Sequence, residues 1–500
     1  MPLYRNSLEH PQLLAISADG ISLSYAELAE KAQKISGWLK SVHPEKLGRV
    51  GIFASRSIEA CAGVLGIAWA GGTYVPISHK WPEERLKSVI ELSELDALIT
   101  DAQGARLLSE NVRVSCPKHI LMPDKIDQLL ASPHAPALVG TDDIVYIIYT
   151  SGTTGVPKGV MIRAGGVQHL LSVIQDRYHL THDDRMSENS DLSFDFSVSN
   201  MFMAWNAGAS LHVIPITQAM APAKFIQDNK LTIWASVPSI ISFMKSMKIL
   251  LPGSFPTLRY SIFSGEPLSL SAALAWQQAA SNSIIDNLWG TTEGTVVCTG
   301  QQLTNPPTVT SKREMIAIGK PFPGMDADII DQNLRFLPNG EEGEFVISSV
   351  QVAAGYFKSP ELTAARFPVI DGKRWNRTGD LAFKDEARIF HHLGRADNRI
   401  KLFGYRIELE EIEVHLRAVS GSELVAAVAW PVANGSASGI VAFISGAEVA
   451  FPQIREALKQ RLPSYMVPGT IHAISTLPLS INGKVDRKAL LKTLDDAAGQ

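Results

Sequence analysis

A glycine-rich loop with a single lysine lies between two apolar segments of the chain. Residues 149–162 read "YTSGTTGVPKGVMI", with three glycines, four serine or threonine hydroxyls and Lys158. Glycines allow backbone N–H groups to converge on an anion, and hydroxyls and a lysine add further donors. The loop therefore predicts a phosphate site, although a plain hairpin turn explains an isolated loop of this composition equally well.

The spacing within this loop excludes one common phosphate motif. A Walker-type loop needs GxxxxGK followed by Ser or Thr and then by a helix. Here Lys158 is followed by Gly159 and by the β-like run "VMI". The sequence thus predicts phosphate binding within a different fold.

Composition narrows the classes of partner. The 500 residues are 45% hydrophobic and 19% charged, and Lys+Arg 46 against Asp+Glu 50 gives a net charge of −4. With no basic surplus, we expect neither a nucleic-acid nor a membrane partner. The three cysteines have no CxxC spacing, which argues against a metal cluster or disulfide framework. The N-terminal "MPLYRNSLEHPQLL" lacks the pattern of a signal peptide, so we expect a cytoplasmic protein.

Helical and strand patterns alternate along most of the chain, which favours an α/β fold. "LSYAELAEKAQKISGWLKS" predicts an amphipathic helix with Ser24 and Glu27 as a capping box. "VYIIYT" predicts a strand covered on both faces. Ser359 and Pro360 predict the cap and first turn of a helix over "PELTAARF".

The uncharged run over residues 60–78, "ACAGVLGIAWAGGTYVPIS", is long enough to suggest a membrane span. Gly71 and Gly72 split it, however, into a helix-like half and a β-like half. We therefore predict a buried helix followed by a buried strand.

The pattern changes near Gly394. There "GRADNRIKLFGYRIELEEIEVHL" predicts a short hairpin followed by a helix that carries Leu409, Ile412 and Leu416. The rest of the chain suffices for one small α+β domain, and we expect its last dozen residues to be frayed. The boundary is predicted at residues 395–398, which gives domains over 1–396 and 397–500.

The loop and nine further segments resemble one family in order along nearly the whole chain. They are "LSYAEL", "AGGTYVPI", "FDFSVSNMF", "NLWGTTEGT", "GEFVISSVQVAAGYF", "NRTGDL", "GRADNRIKLFGYRIELEEIE", "LPSYMVP" and "NGKVDRKAL". They resemble the adenylate-forming enzymes, and in particular their amino-acid-activating branch. The resemblance implies a large N-terminal domain of two doubly wound α/β subdomains plus a distorted β-barrel, and a small mobile α+β C-terminal domain.

The resemblance also implies a reaction in two steps. A carboxylate attacks the α-phosphate of ATP to form an acyl adenylate and pyrophosphate, and a thiol then displaces AMP to form a thioester. The implied cofactors are ATP and Mg²⁺. Few residues follow "NGKVDRKALL", so we expect the thiol on a separate phosphopantetheinylated carrier protein or on coenzyme A.

Matching positions imply the nucleotide contacts. Lys158 and the loop hydroxyls would hold the β- and γ-phosphates, Asn287 the adenine amino group, and Asp380 the ribose hydroxyls. Trp289 would stack on the purine, where the family usually has tyrosine. The full implied set is Thr150, Ser151, Gly152, Thr153, Thr154, Lys158, Gly265, Glu266, Asn287, Trp289, Gly290, Thr291, Asp380 and Arg395.

The resemblance assigns catalysis to three residues and a hinge to a fourth. Thr292 would contact the α-phosphate, and Glu293 would hold Mg²⁺, a hard cation suited to carboxylate oxygen. Lys484 would bridge the carboxylate and α-phosphate oxygens in the transition state. A rotation about Asp397 would then bring "KLFGYR", around Gly404, to line a tunnel for the thiol.

The implied amino-acid site centres on Asp195, which would pair with the α-ammonium group. The side-chain pocket would be formed by Phe196, Ser199, Ser239, Ile262, Ser264, Leu288 and Val296. No pocket position carries a charge, so we expect a small or medium uncharged amino acid, of undetermined identity and handedness. Two alternatives stay open, namely an acyl- or aryl-CoA ligase and a non-catalytic nucleotide-binding protein.

Overall fold

A computed structural model describes most of the chain. The described residues are 1–45, 47–131, 133–152, 156–310, 313–395, 399–433, 436–446, 449–478 and 485–498. Thr153, Thr154, Asp397 and Lys484, to which the resemblance assigns roles, lie outside them, as does the predicted domain boundary.

The helices are α1 (Pro2–Glu9), α2 (Tyr25–Val42), α3 (Ile58–Ala70), α4 (Glu83–Ser93), α5 (Ala102–Leu107), α6 (Glu110–Arg113), α7 (Pro123–Ile126), α8 (Ala164–Tyr178), α9 (Phe196–Ala207), α10 (Ala223–Asp228), α11 (Ser239–Ser246), α12 (Leu270–Ala279), α13 (Pro360–Arg366), α14 (Leu409–Ser420), α15 (Phe451–Lys459) and α16 (Arg487–Ala498). Short 3-10 helices cover Ile216–Gln218, Thr292–Gly294 and Ser464–Met466.

The strands are β1 (Leu14–Ala18), β2 (Ile21–Ser24), β3 (Arg49–Phe53), β4 (Thr73–Pro76), β5 (Ala97–Thr100), β6 (His119–Leu121), β7 (Ile144–Thr150), β8 (Lys158–Arg163), β9 (Arg185–Glu188), β10 (Ser210–Val213), β11 (Ile233–Ser236), β12 (Tyr260–Phe263), β13 (Ile284–Trp289), β14 (Thr299–Gln302), β15 (Val309–Thr310), β16 (Met315–Ile316), β17 (Lys320–Pro321), β18 (Asp326–Ile330), β19 (Gly343–Ser348), β20 (Gly355–Tyr356), β21 (Val369–Ile370), β22 (Lys373–Arg374), β23 (Asn376–Lys384), β24 (Phe390–Arg395), β25 (Arg399–Leu402), β26 (Tyr405–Glu408), β27 (Val425–Ala429), β28 (Val432–Ala433), β29 (Ser436–Ala437), β30 (Ile440–Ile444) and β31 (Thr470–Ala473).

Two large sheets form the amino-terminal part. One has nine strands in the order β17-β14-β13-β12-β11-β9-β10-β1-β2, and the other has seven in the order β20-β8-β7-β4-β3-β5-β6. The central pairings β9–β11, β11–β12 and β12–β13 are parallel, as are β7–β4, β4–β3 and β3–β5. Parallel strands present their carboxyl ends at one edge of a sheet, where ligands of open α/β folds bind.

The predicted strand "VYIIYT" is confirmed as part of β7 and is covered on both faces. Tyr146 and Ile148 pack into one hydrophobic cluster, whereas Ile147 and Tyr149 pack into another. Alternate side chains of a strand point to opposite faces, so each face of β7 has its own core. This burial holds the start of the glycine-rich loop in place.

The predicted helix and capping box at Ser24 are confirmed. The Ser24 hydroxyl accepts the Glu27 N–H, and the Glu27 carboxylate accepts the Ser24 N–H. Leu28, Ala32, Ile35 and Leu39 are fully buried, so the apolar stripe faces the core.

The apolar run after Ala60 divides as predicted. Helix α3 ends at Ala70 and is capped by Gly71, whose φ is 81°, a left-handed conformation that glycine adopts without steric cost. Strand β4 follows. Across the described residues, the helices are too short or too polar to cross a membrane.

The remaining sheets are smaller. Strands β18-β19-β23-β24 form an antiparallel sheet, and β27-β30-β31 form a sheet within the carboxy-terminal region that begins at Arg399. Strands β25 and β26 form the predicted hairpin, which leads into the predicted helix α14. Leu409, Ile412 and Leu416 are buried in a cluster of that region.

Two local expectations are wrong in part. Helix α13 begins at Pro360 with Ser359 at the N-cap position, as predicted, but the Ser359 side chain makes no capping hydrogen bond, and its hydroxyl donates to the carbonyl of Phe357. The last dozen residues are not all frayed, because α16 extends to Ala498 and buries Leu490 and Leu494.

Candidate active site

Three adjoining cavities lie where the sheets meet the β25–β26 hairpin. The central cavity is lined by Ser151, Asp195, Phe196, Ser264, Val296 and Arg406, among others. The Trp289 cavity includes Glu266, Asn287, Trp289, Arg313, Asp380 and His392. The Phe403 cavity includes Arg56, Lys80, Asp191, Ser239, Phe403 and Tyr405. The central cavity shares Gly265 and Lys401 with the second and Gly404 and Tyr405 with the third.

The glycine-rich loop joins two antiparallel strands, so Thr150 pairs with Lys158 across its base. Lys158 is buried, and its ammonium group lies 5.7 Å from the ring centroid of Tyr356. Burial lowers the pKa of Lys158 to about 8, helped by the positive charges of Arg406 and Arg399 and opposed by Glu408. Its strand position thus holds one cation at the loop's base.

Carboxylates of the carboxy-terminal region occupy the donors of this loop. Glu408 Oε1 lies 3.3 Å from Lys158 Nζ, and the Gly152 N–H donates to Glu411 Oε2 at 3.2 Å. The Ser151 hydroxyl donates to the Arg406 carbonyl at 2.9 Å and accepts the Glu408 N–H at 3.2 Å. These are the groups that the resemblance assigns to phosphates, so the two kinds of anion would use the same donors.

Glu293 follows β13 in a short 3-10 helix and is buried beneath the hairpin. Arg406 donates to both of its carboxylate oxygens, at 2.6 and 2.9 Å, and the Tyr356 hydroxyl donates at 2.7 Å. Burial opposes ionisation, but the charge and hydrogen bonds of Arg406 outweigh it and lower the pKa of Glu293 well below its usual range. These contacts therefore favour the ionised form of Glu293.

Glu293 is the residue to which the resemblance assigns Mg²⁺ binding. Within the described part of the chain, no cluster of three or more His, Cys, Asp or Glu could hold a metal. Mg²⁺ is usually held by one or two carboxylates together with substrate phosphates, so Glu293 fits as a single protein ligand. Arg406 would have to leave before Glu293 could serve in that way.

Asp380 lies in β23 opposite Arg395 in β24. Its Oδ1 accepts from Arg395 at 2.7 Å and contacts His392 Nε2 at 3.3 Å. Burial disfavours the charge, but Arg395 and His392 outweigh it and lower the pKa of Asp380. Its buried Oδ2 has no hydrogen-bond partner among the described residues, which leaves an acceptor for a ligand hydroxyl.

Asn287 and Trp289 lie at the carboxyl end of β13. The Asn287 amide N–H₂ donates to the carbonyls of Ala317 at 2.9 Å and Ile316 at 3.3 Å. Because both donors are engaged, the side-chain oxygen is the group left to accept from a ligand amine. Trp289 packs edge-on against Phe345, with ring centroids 4.7 Å apart, and also lines the cavity.

Asp195 immediately precedes α9 and lines the central cavity without capping the helix. Burial raises its pKa to about 6, although a hydrogen bond from Thr292 and the charge of Lys401 counteract this shift. A carboxylate in such an environment is stabilised by a cationic partner.

The predicted pocket residues divide among the cavities. Asp195, Phe196, Ser264 and Val296 line the central cavity, whereas Ser239 lines the Phe403 cavity and Leu288 the Trp289 cavity. Ser199 and Ile262 line none of the three. Ser199 is buried one helical turn beyond Phe196 and donates to its carbonyl at 2.8 Å, and Ile262 is buried within β12.

The tip of the hairpin enters the cleft at Gly404. Its φ is 80°, its N–H donates to Glu266 Oε1 at 2.8 Å, and a Cβ added there would lie 2.8 Å from Val237 Cγ1. Beside it, Tyr405 contacts Lys80 and stacks on Tyr465 at a centroid distance of 3.7 Å. Gly404 therefore permits a close approach that a larger residue would obstruct.

Several ionisable residues at the site were not predicted from the sequence. They are Arg313, His392, Lys401, Arg406, Glu408 and Glu411. The sequence offered one indication, namely the many charged residues of "KLFGYRIELEEIE" on and after a short hairpin. The pattern does not show which loop these charged side chains contact.

Residues 3–357 match the family model described as "AMP-binding enzyme". Tyrocidine synthase 1 of Brevibacillus parabrevis is 32% identical over 489 residues, which cover 96% of this chain and 43% of that protein. The D-alanine–D-alanyl carrier protein ligase of Bacillus cereus (strain G9842) is 30% identical over 504 residues, which cover 97% of both proteins.

A solved structure matches with a TM-score of 0.88. It is the Vibrio cholerae adenylation domain AlmE in complex with glycyl-adenosine-5'-phosphate, and it is 28% identical, with 99% of this chain and 97% of that chain covered. The chain spans less than half the length of the synthase above but nearly the whole of the carrier-protein ligase. The large amino-terminal and small carboxy-terminal domains implied by the resemblance are thus confirmed, and the chain belongs to the family of AMP-binding enzymes.

Proposed function

We propose that the protein activates a small or medium uncharged amino acid with ATP as an aminoacyl adenylate. It then transfers the aminoacyl group to the phosphopantetheine thiol of a separate carrier protein. The observation that carries the proposal is the Asp195 carboxylate in the central cavity, between the Phe403 and Trp289 cavities. An acid without an ammonium group would offer this half-buried carboxylate no cationic partner from the substrate.

The first step brings two anions together. The amino-acid carboxylate oxygen bonds to the α-phosphorus of ATP, and the bond to pyrophosphate breaks. Asp380 Oδ2 would accept a ribose hydroxyl and Asn287 would accept the adenine amino group, while Trp289 stacks on the purine. Lys158 and the Ser151 hydroxyl would hold the β- and γ-phosphates. Mg²⁺, when bound at Glu293, would neutralise phosphate charge.

Lys484 would supply the remaining positive charge at the α-phosphate, and Thr292 a hydrogen bond. The role of Lys484 rests on the resemblance, since this residue lies outside the described part of the chain. Phosphate binding would also require the small domain to rotate about Asp397, because in the structure the β25–β26 hairpin and the start of α14 occupy the donors that would hold the phosphates.

Amino-acid selection would depend on both ends of the substrate. The ammonium group would pair with Asp195, and the side chain would meet Phe196, Ser264 and Val296. None of these three is charged, which disfavours lysine, arginine or glutamate. The D-alanine ligase and the glycyl-adenylate complex among similar proteins support a small substrate.

The second step would use the orientation seen in the structure. A thiol would enter through the Phe403 cavity, which adjoins the central cavity at Gly404 and Tyr405. The thiol sulfur bonds to the acyl carbon, the bond between that carbon and the phosphate oxygen of AMP breaks, and the thiol proton passes to solvent. In this step Glu408 and Glu411 would neutralise the phosphate loop after pyrophosphate has left.

Direct product analysis tests the proposal. The protein is incubated with Mg·ATP and each proteinogenic amino acid, D-alanine or an aryl acid, and aminoacyl-AMP is identified by mass spectrometry. Phosphopantetheinylated carrier proteins and coenzyme A are then offered in parallel. We expect an adenylate with a small uncharged amino acid and a mass shift on a carrier. An adenylate with aryl acids alone, or acyl transfer to coenzyme A alone, would contradict the proposal.

A further inference from the structure

A strained turn forms one wall of the central cavity. Thr295 and Val296 have φ values of 59° and 70°, and both are β-branched. β-Branched residues rarely adopt this left-handed region, because their side chains clash with the backbone there. Such a conformation persists only where the surroundings hold it in place.

The turn connects Glu293 to Val296 and is closely packed against the backbone of Gly290. It begins just after Glu293 and brings Val296 into the central cavity. Its outer side packs on Gly290, where an added Cβ would lie only 2.1 Å from the Val296 carbonyl oxygen. A small change of backbone conformation would therefore move the Val296 side chain.

One buried side chain holds the turn. The amide nitrogen of Gln351 lies 3.1 Å from the Gly294 carbonyl, 3.3 Å from that of Thr295 and 3.0 Å from that of Val297. The Thr295 hydroxyl donates back to the Gln351 carbonyl. His169 Nδ1 lies 2.7 Å from the Gln351 side-chain oxygen. That contact orients the amide so that its nitrogen faces the turn.

Glu293 is held by other groups. Its backbone carbonyl accepts the Ala353 N–H at 2.8 Å, and its carboxylate is bound by Tyr356 and Arg406. The Glu293 end of the turn thus has its own support, whereas the carbonyls on either side of Val296 accept from the Gln351 amide.

We propose that Gln351 is a positioning residue that determines amino-acid selectivity by fixing the Thr295–Val296 turn as a rigid wall of the side-chain pocket. The selectivity role rests on the proposed function. Without the three hydrogen bonds, the turn relaxes towards less strained backbone angles and Val296 leaves its position. The cognate amino acid then loses contact and larger side chains gain space.

The test uses Gln351→Met, which keeps the length of the side chain but removes its donors. We expect the KM for the preferred amino acid to rise about tenfold, the size of effect typical of lost buried hydrogen bonds. The KM for ATP should stay within about twofold, because Glu293 keeps its contacts. Relative kcat/KM for the next larger amino acids should increase. Adding Thr295→Gly should recover part of the loss, since glycine tolerates a positive φ.

Asn6→Leu is the matched control. Asn6 is also a buried amide that donates to two carbonyls, those of Trp205 at 2.6 Å and Pro2 at 3.3 Å, but it lies away from the cavity. We expect Asn6→Leu to lower Tm without changing either KM. If Gln351→Met does not fold, His169→Leu, which removes only the orienting contact, should show a smaller effect in the same direction.

Hydrogen exchange of residues 291–298 provides a readout that does not depend on activity. We expect faster exchange of this segment in Gln351→Met than in Asn6→Leu or wild type. Unchanged exchange, or equal increases in the KM for ATP and for the amino acid, would overturn the proposal. A wild-type protein that forms no aminoacyl adenylate would instead refute the proposed function and the selectivity role with it, while exchange would still decide whether Gln351 holds the turn.

Discussion

Glu408 Oε1 lies 3.3 Å from Lys158 Nζ, although 250 residues separate them in the chain. The carboxylate also accepts from Arg399 Nε at 2.8 Å. An ion pair between two buried side chains on different domains can form only in one domain orientation. Because Lys158 is also the predicted phosphate ligand, this pair links the orientation of the small domain to the occupancy of the phosphate loop.

Replacement of Glu408 should affect the second step selectively. Glu408→Gln removes the buried carboxylate charge that both Lys158 and Arg399 contact in the structure's orientation, and losing one partner of such a pair costs about 3–5 kcal/mol. We expect acyl transfer from preformed adenylate to slow at least tenfold, while ATP–pyrophosphate exchange changes less. Single-turnover measurement of each half-reaction provides the check.

Glu413→Gln is a suitable control for that experiment. Glu413 is buried in the same domain and pairs with Arg487 at 2.5 Å, but it does not line the cleft. It should lower stability without separating the two half-reactions. Equal slowing of both steps by Glu408→Gln would argue against the role assigned to this carboxylate.

Gly404→Ala should hinder entry of the hairpin into the cleft. The added methyl would lie 2.8 Å from Val237 Cγ1 at a φ of 80°, and left-handed strain of this kind costs roughly 1–3 kcal/mol. We expect transfer to the thiol to slow by about tenfold with adenylation largely retained. Gly340 has a similar φ of 83°, but a Cβ added there meets no atom within 4 Å. Gly340→Ala therefore introduces backbone strain without a steric clash. Identical behaviour of the two variants would refute a steric role for Gly404.

Acid pH should weaken amino-acid binding through Asp195. Burial raises the pKa of this carboxyl to about 6, so the free enzyme gains a proton there as pH falls through that value. The protonated acid cannot pair with an ammonium group, which itself stays charged throughout this range. We expect the KM for the amino acid to rise below pH 6 by up to about tenfold per pH unit, while the KM for ATP changes little. A flat amino-acid profile between pH 5 and 8, which brackets this pKa, would contradict the prediction.

The placement of several predicted site residues could be anticipated from the sequence, because these residues follow local motifs. Lys158 and Thr150 are paired across one hairpin, and Asp380 and Arg395 face each other on neighbouring strands. Contacts of this kind need only correct strands and register. The strand β7 and the Ser24 capping box were predicted for the same reason.

The interdomain pairs could not be predicted in this way. Arg406 binds Glu293, and Glu411 binds Arg85 and the Gly152 N–H, but each pair depends on the orientation of two domains. Ser199, one turn beyond Phe196 in α9, and Ile262, buried in β12, line none of the three cavities. Their roles in the pocket stay predictions.

Lys484→Ala should impair the first step and spare the second. A positioned electrostatic donor contributes on the order of 10²–10³ to the rate, so we expect exchange to fall by that factor. Transfer from supplied aminoacyl adenylate should remain near the wild-type rate. Lys459→Ala, which removes an exposed lysine paired with Glu456, should change neither step. Equal loss of both steps in Lys484→Ala would contradict a role of Lys484 that is specific to adenylate formation.

The most direct test of the proposed function compares ATP–pyrophosphate exchange with two acids that differ only in the amino group. ATP–pyrophosphate exchange is measured for wild type and Asp195→Asn, with the preferred amino acid and with the acid of the same carbon skeleton that lacks the amino group. We expect the wild type to show strong exchange with the amino acid and little with the acid that lacks the amino group, and we expect Asp195→Asn to lose that preference. Equal exchange of wild type with both acids would contradict the proposed function.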